Sequence, residues 1–337
     1  MFKTAQHNKK HKHSEHFLAY AALTTVTLLW ALAGPVIKLT LHGIPPMHFL
    51  FLRLLIVCIV ILPALIMRLQ KNPVSSKEIP TLIALGLFSQ SSLALSFIGY
   101  QYATALDAAI ITLISPLLSV AAGHLYFNEK VSKKTKIGLT LATVGTALII
   151  FEPLLLNNHT PLITKELRVL GNILILSSTV AFLIYTIWSK YAEGARSKKL
   201  KSTFKLLHLH RLKRNRSALE ITFITFYVGL ATTIPLVFLE AKGFLNGGVP
   251  VDFNPANLAT ITILGILYMA IFSSIVAYTL FEWALQISSV TDTAFFNYLS
   301  PIFVLPFAYV LLGEIPTTMS LIGGGIIAAG VIIAEHK

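Results

Sequence analysis

Long uninterrupted apolar runs, separated by short polar stretches, dominate the chain. A helix crossing a ~30 Å hydrocarbon core needs about 20 mostly apolar residues. Runs of that kind fall at 17–38, 46–67, 79–99, 104–127, 136–156, 167–189, 219–239, 258–283, 290–312 and 317–334. The apolar positions are consecutive rather than alternating, which favours helices over a membrane barrel. The fold class expected is an all-α polytopic membrane protein with ten transmembrane helices. Phe17–Lys38 exceeds the apolar core of a cleaved signal peptide and is expected to remain as the first span.

Composition agrees. Of the 337 residues 55% are hydrophobic and 12% charged, against roughly 25% charged in a soluble domain. That shortage excludes a soluble enzyme and a disordered chain. The formal net charge of +13 would suggest nucleic acid if it formed one patch. Instead, with the N-terminus placed inside and the spans alternating, 22 Lys and Arg residues fall on inner segments and 4 on outer ones. This split follows the positive-inside rule and predicts cytoplasmic N- and C-termini in a cell membrane, with no nucleic-acid partner. The lone cysteine, Cys58, excludes an intramolecular disulfide.

Two segments 185 residues apart match position by position. Gln101, Asp107, Ala109, Ser115, Pro116, Glu129, Gly138 and Gly145 correspond to Gln286, Asp292, Ala294, Ser300, Pro301, Glu314, Gly323 and Gly330. Earlier, Trp30–Lys38 aligns with Phe182–Lys190 through the shared lysine, and a basic insertion at 194–217 accounts for most of the change in offset. The expected organisation is a basic tail (1–16), a first repeat (17–156) and a second repeat (167–335) holding the insertion. Each repeat has five spans. Since five is odd, the two must lie upside down relative to one another, as in carriers that open alternately to either side. The repeat Ile114-Ser-Pro … Glu129 … Gly138 and its copy Leu299-Ser-Pro … Glu314 … Gly323 resemble the EamA-type domain of the drug/metabolite transporter superfamily. Leu28-Leu29-Trp30-Ala31 … Lys38, followed by Arg53, is similar to the start of such a domain. The resemblance implies a ten-helix carrier, often an exporter of amino acids or other small metabolites, with a cavity between its halves. The basic insertion departs from that pattern.

Within the spans, Arg53 is the only Lys or Arg far from an end. It needs a protein or water partner, and either binds a carboxylate or makes a structural pair. Glu282 and Gln286 share a helix face one turn apart, with Tyr278 a turn earlier and Trp283 adjacent. A carboxylate among aromatics either carries a proton or, near the helix end, is a solvated or hydrogen-bonded structural acid. Asp107 and Asp292 begin their spans and are expected to accept from unpaired backbone N–H groups. Glu129 and Glu314 end the same spans and are expected to cap the next helices, which start near Ser132 and Pro316. Pro116 and Pro301 should bend their helices. Candidate cavity walls are Trp30, Tyr100, Gln101, Tyr185, Trp188, Tyr227, Tyr278, Trp283, Gln286 and Tyr298, with Arg53. Gly324, Gly325, Ala328 and Ala329 on span ten, and Gly138, Ala142 and Thr146 on span five, offer small faces for close packing and mark scaffold helices.

Outside the spans, Leu200, Phe204, Leu207 and Leu212 of the insertion fall near one helical face. They suggest either a basic amphipathic segment on anionic lipid (196–216) or a solvated loop. His7, His11, His13 and His16 fit a polar flexible tail better than a metal site. No G-x-x-x-x-G-K-[ST], H-E-x-x-H or G-x-S-x-G pattern occurs, so ATP-driven pumping and hydrolase chemistry lack support, and no cofactor or metal is expected. The function expected is secondary transport of a small organic solute by alternating access, with export of an amino acid or similar metabolite favoured. A nucleotide-sugar or phosphate-ester carrier is one alternative, and a membrane enzyme using Glu282 is another. The sequence does not set the oligomeric state.

Overall fold

The computed structural model describes residues 2–128, 130–155, 164–213, 216–245, 248–285 and 290–335. Among these residues all regular secondary structure is helical: α1 (Phe2–Thr40), α2 (Pro46–Lys71), α3 (Ile79–Tyr102), α4 (Ala105–Thr112), α5 (Ser115–Phe127), α6 (Lys133–Leu155), α7 (Lys165–Ala192), α8 (Lys198–Leu206), α9 (Ala218–Ala241), α10 (Thr260–Leu267), α11 (Ala277–Leu285), α12 (Val290–Leu312) and α13 (Thr318–Glu335). A π-helical stretch, Tyr268–Val276, joins α10 to α11. Among the described residues eight helical spans are long and apolar enough to cross a membrane, from Leu18–Thr40 to Thr260–Phe281, with Ala105–Phe127 (α4 and α5) counted as one. The molecule is a multi-pass membrane protein.

The closest helix pair is α6 with α13, which run antiparallel. A Cβ on Gly138 would stand 2.2 Å from the Gly330 carbonyl, and one on Gly145 would stand 2.6 Å from the Gly323 carbonyl. Four glycines thus let two backbones touch, a geometry that lipid-embedded helices use because packing, not water exclusion, drives their association. At one end of the pair Thr135 Oγ1 donates to the Ala334 carbonyl at 3.5 Å. At the other Thr317 Oγ1 donates to Glu152 at 2.6 Å. The segments 130–135 and 313–317 therefore lie at opposite ends. The face used on α13 differs from the one expected: Gly323, Ile327 and Gly330 are buried, whereas Gly325, Ala328 and Ala329 are exposed. The sequence offers two small stripes on this helix, and the carbonyl-to-glycine contacts select the one in phase with Gly138 and Gly145. Elsewhere α3 packs on α7 and α9, α1 on α11 and α12, and α2 on α9.

Two further expectations are corrected. Residues 2–16 continue α1 rather than forming a flexible tail. Once a span has nucleated the helix, adding residues costs no second nucleation. Pro116 interrupts its span as expected: within Ala105–Phe127 the helix tightens into a turn at Leu113–Ile114, both still right-handed helical, immediately ahead of the proline. Its counterpart Pro301 sits inside the unbroken α12.

The insertion, finally, neither lies on lipid by its whole apolar face nor floats free. Leu200, Phe204 and Leu212 are buried against Tyr191, Trp188 and Leu82, leaving Leu206 and Leu207 exposed. Its returning segment is tied down by Glu78, which accepts from the Lys213 amide at 2.9 Å and from Arg216, while Arg216 also pairs with Glu220. Burial works against the Glu78 charge, but the Lys213 and Ser75 amides and the Arg216 guanidinium outweigh it and hold the carboxyl below its usual 4.5.

The glycine contacts make a signed prediction. Ala is about 1 kcal/mol better than Gly in an unencumbered helix, so Gly325→Ala, which faces open space, leaves or raises the thermal midpoint. Gly138→Ala forces α6 off α13 and lowers it, by the equivalent of about 1–3 kcal/mol. Thermal unfolding in detergent reads both, and equal responses would contradict the packing described.

Candidate functional site

A cavity of about 420 Å³ lies between α3, α7, α9 and α11. Its walls are Ser89, Ser92 and Leu93 from α3, Phe182, Tyr185, Thr186 and Ser189 from α7, Thr222, Thr225 and Phe226 from α9, and Tyr278 and Phe281 from α11. Lys190 and Glu193, both exposed, form its rim. Ser189 Oγ donates to Glu193 at 2.6 Å, which holds that carboxylate on the α7 side. The polar groups arise from helical spacing: Ser89 with Ser92, Thr222 with Thr225, and Tyr185 with Ser189 each recur at three or four residues and so share a face. Aromatic rings supply the rest, with Phe226 and Tyr278 edge to face at 5.8 Å. Few polar groups amid apolar walls, and a volume within the roughly 300–1,000 Å³ usual for small-molecule sites, give the cavity the general form of such a site.

Behind this wall lies the π-helical stretch. A π turn widens the helix and leaves carbonyls without their α-helical donors, and the structure supplies others. Trp30 Nε1 donates to the Ser273 carbonyl at 3.1 Å, and Ser274 Oγ donates to the Met269 carbonyl at 2.8 Å. The Trp30 ring then packs on Tyr278 and Phe281, with centroids 5.5 and 5.2 Å away. Trp30 thus stands one layer behind the cavity and sets the position of its aromatic wall.

Arg53 is buried, and its Nε and Nη2 donate to Ser274 Oγ at 3.1 and 2.9 Å. Its guanidinium also lies 5.6 Å from the centre of the Phe97 ring. Phe97 is one turn beyond Leu93, and Ser274 is one turn before Tyr278, so Arg53 occupies the layer beneath the cavity floor. Among the described residues no carboxylate lies within 4.0 Å of it. Its hydroxyl and ring partners orient the charge without neutralising it.

Of the other residues expected at the site, Tyr185 and Tyr278 line the cavity. Tyr227 donates to the Cys58 carbonyl at 2.6 Å and faces α2. Trp188 packs on Phe88 and Phe204, and Tyr100 packs among the core residues near α1. Gln101 is half-buried near the far end of α3, and Trp283 is exposed on α11. Glu129 and Gln286 lie outside the described residues, as do the side chains of Glu282, Asp292 and Tyr298. The serines and threonines of the wall were missed in the sequence because single hydroxyls inside apolar runs satisfy themselves on the preceding turn. Their three-residue recurrence was the available signal.

At the opposite end of the molecule charged side chains from several helices meet around a recess of about 330 Å³. Glu314 does not cap the helix that follows it. Its two carboxylate oxygens accept from the Ala105 and Leu106 amides, each at 3.1 Å, and so cap α4 from 209 positions away in the chain. Asp107, expected to accept from its own helix, instead takes Arg168 Nη2 at 2.7 Å and Ser320 Oγ at 3.1 Å, while Thr104 caps the Asp107 amide. With Glu314 holding the helix start, Asp107 is free to bridge α4, α7 and α13. Burial pushes the Glu314 carboxyl above its usual 4.5, and Asp107 adds to this, against the two amides and Lys38. Lys38 donates to the Tyr100 carbonyl at 3.3 Å and to that of Ala103. Glu240 likewise accepts from the Met47 and His48 amides at the start of α2, at 3.0 and 3.1 Å.

A multi-pass helical protein with a polar-aromatic cavity among its helices and no metal-binding cluster among the described residues has the form of a solute carrier. The family model described as "EamA-like transporter family" matches residues 17–151 and 169–334, and the chain belongs to that family, within the drug/metabolite transporter superfamily. Similar curated proteins include an uncharacterized transporter of Archaeoglobus fulgidus, 27% identical over 94% of this chain and 96% of its own. Another is named a probable amino-acid metabolite efflux pump, from Salmonella typhimurium, 24% identical over 91% of each chain. A third is named a probable terminal-alkyne amino-acid exporter, from Streptantibioticus cattleyicolor, 22% identical over 94% of this chain and 93% of its own. One crystal structure matches with a TM-score of 0.54 at 15% identity, covering 96% of this chain and 97% of that one, and bears on the fold alone. The family and these names indicate a transporter and not an enzyme.

The Arg53 environment carries a prediction. Ser274→Ala removes both hydrogen-bond acceptances from a buried cation and should cost about 1–3 kcal/mol, seen as a lower thermal midpoint. An unchanged midpoint would show that Arg53 is satisfied without Ser274.

Proposed function

We propose that the protein exports a small zwitterionic metabolite of the amino-acid class across the plasma membrane, by alternating access without ATP. The observation that carries this reading is the charge layout along the cavity: a buried guanidinium beneath the floor, hydroxyls and aromatic rings along the wall, and the Glu193 carboxylate at the rim beside Lys190. An amino acid would enter carboxylate first, drawn by Arg53, with its ammonium toward Glu193 and its side chain against Tyr185, Phe226 and Tyr278. In a low-dielectric floor such attraction acts without direct contact. A polyanion such as a nucleotide sugar finds too few cations there, and the relatives named for amino-acid efflux support the smaller solute.

The same reading takes the chain as ten spans in two inverted five-span halves with both termini cytoplasmic. Pairs of equivalent contacts in the packing support it. Exchange of the halves carries the Gly138–Gly330 contact onto Gly323–Gly145, and α3 on α7 onto α1 on α11. The cavity draws its walls from both halves and opens toward the basic insertion, which the positive-inside rule assigns to the cytoplasm. The charged end around Glu314 and Arg168 is then the closed outer side.

Reconstituted vesicles loaded singly with each of the twenty labelled amino acids test the proposal. Wild type should release at least one, and Ser89→Trp, at a half-buried position on the cavity wall, should slow that release at least about ten-fold without lowering the thermal midpoint. Release of none, or undiminished release by Ser89→Trp, would contradict it.

A further inference from the structure

The insertion also builds a second recess, of about 470 Å³, on the far side of α7 from the cavity rim. Lys201, Lys205, His208, His210 and Arg211 line it with Tyr191, Phe204 and Leu209, and no carboxylate is among its lining residues. We propose that this recess binds a phosphate oxyanion, supplied by the headgroup of an anionic lipid.

Two kinds of cation occur in the insertion. Lys213 and Arg216 are used up on Glu78 and Glu220. Lys201 and Lys205, one turn apart on α8, share a face, and among the described residues no carboxylate lies within 4.0 Å of either. Two like charges at that spacing repel, and an anion between them removes the repulsion. Arg211 completes the set and is already in place. Its guanidinium donates to the Gly194 and Ala195 carbonyls at 3.3 and 2.8 Å and stacks 4.6 Å from the Tyr191 ring centre, leaving other N–H donors for a ligand.

The backbone holds this geometry rigidly. His208 takes a left-handed conformation (φ 54°) that turns the chain back beside α8. Thr81 Oγ1 then accepts from the His210 amide at 3.0 Å and donates to its carbonyl at 2.7 Å. A preformed donor set loses little freedom on binding. The source of the phosphate follows from the neighbours: Leu206 and Leu207, at the end of the same helix, are 77% and 49% exposed. Apolar side chains beside cationic ones at the end of a membrane bundle suit the headgroup region, where acyl chains cover the leucines and the phosphate reaches the lysines. The recess stands on these residues whatever solute the cavity carries.

The test uses the full-length protein in detergent, with lipid retention read by native mass spectrometry for phosphatidylglycerol and phosphatidylcholine, and inorganic pyrophosphate as the soluble probe. Wild type should retain phosphatidylglycerol in preference to phosphatidylcholine. Lys201→Gln with Lys205→Gln should weaken that retention about ten-fold. Lys198→Gln with Lys199→Gln, the same charge loss on the same helix at residues that do not line the recess, should change it less than about two-fold. All four lysines are exposed, so neither pair disturbs the core. Equal losses from the two pairs would overturn the recess in favour of diffuse charge, and so would no preference together with no pyrophosphate binding. Pyrophosphate binding that the first pair abolishes, without any lipid preference, would overturn the lipid assignment.

Discussion

A helix that starts away from water leaves four amide N–H groups with nothing to bond, and in a bilayer each one is expensive. This chain meets that constraint with carboxylates borrowed from far away. Glu240, at the end of α9, accepts from the amides that open α2, where Pro45 supplies no side-chain cap. Glu314, in the turn before α13, accepts from the amides that open α4. Both acids come from the C-terminal part of the chain and both helices from the N-terminal part. The need to satisfy backbone therefore joins the two halves at one end of the bundle, and Asp107, released from capping, adds Arg168 and Ser320 to the same junction.

The cavity lies toward the other end, where buried charge also joins cavity helices: Arg216 pairs with Glu78, just before α3, and with Glu220 in the first turn of α9. Between that network and the Glu314 junction the cavity walls carry hydroxyls and aromatic rings. The π-helical stretch belongs to the same logic. It offers Ser274 to Arg53 and the Ser273 carbonyl to Trp30, so that a buried cation and the cavity's aromatic wall are fixed by one local irregularity. The glycine-lined α6–α13 pair provides a rigid spine beside these elements.

Much of this was legible in the residues alone. Membrane spans follow from apolar run length, and the burial of Arg53 from its position within one. The importance of Gly138 and Gly145 follows from their recurrence as Gly323 and Gly330. What could not be read were relations set by tertiary contact. Glu314 looked like a cap for its neighbour because sequence shows only neighbours. Nothing before folding says that α4 lies against it. The insertion's leucines and Phe204 have the spacing of a lipid-facing stripe, yet most of that stripe finds a protein partner, because the ends of α3 and α7 present Leu82 and Tyr191 to it. The π turn leaves no pattern at all, since the same residues would propagate an ordinary helix.

In alternating access one cavity faces the two sides of the membrane in turn. A single cysteine placed by Ser92→Cys in a Cys58→Ala background, probed with a membrane-impermeant maleimide from each side of oriented vesicles, reports which side the cavity faces. Without solute, labelling should come from the side of Lys190 and Glu193 alone. When an exported amino acid is supplied, labelling from the opposite side should appear as well. Labelling confined to one side throughout active export would contradict alternating access.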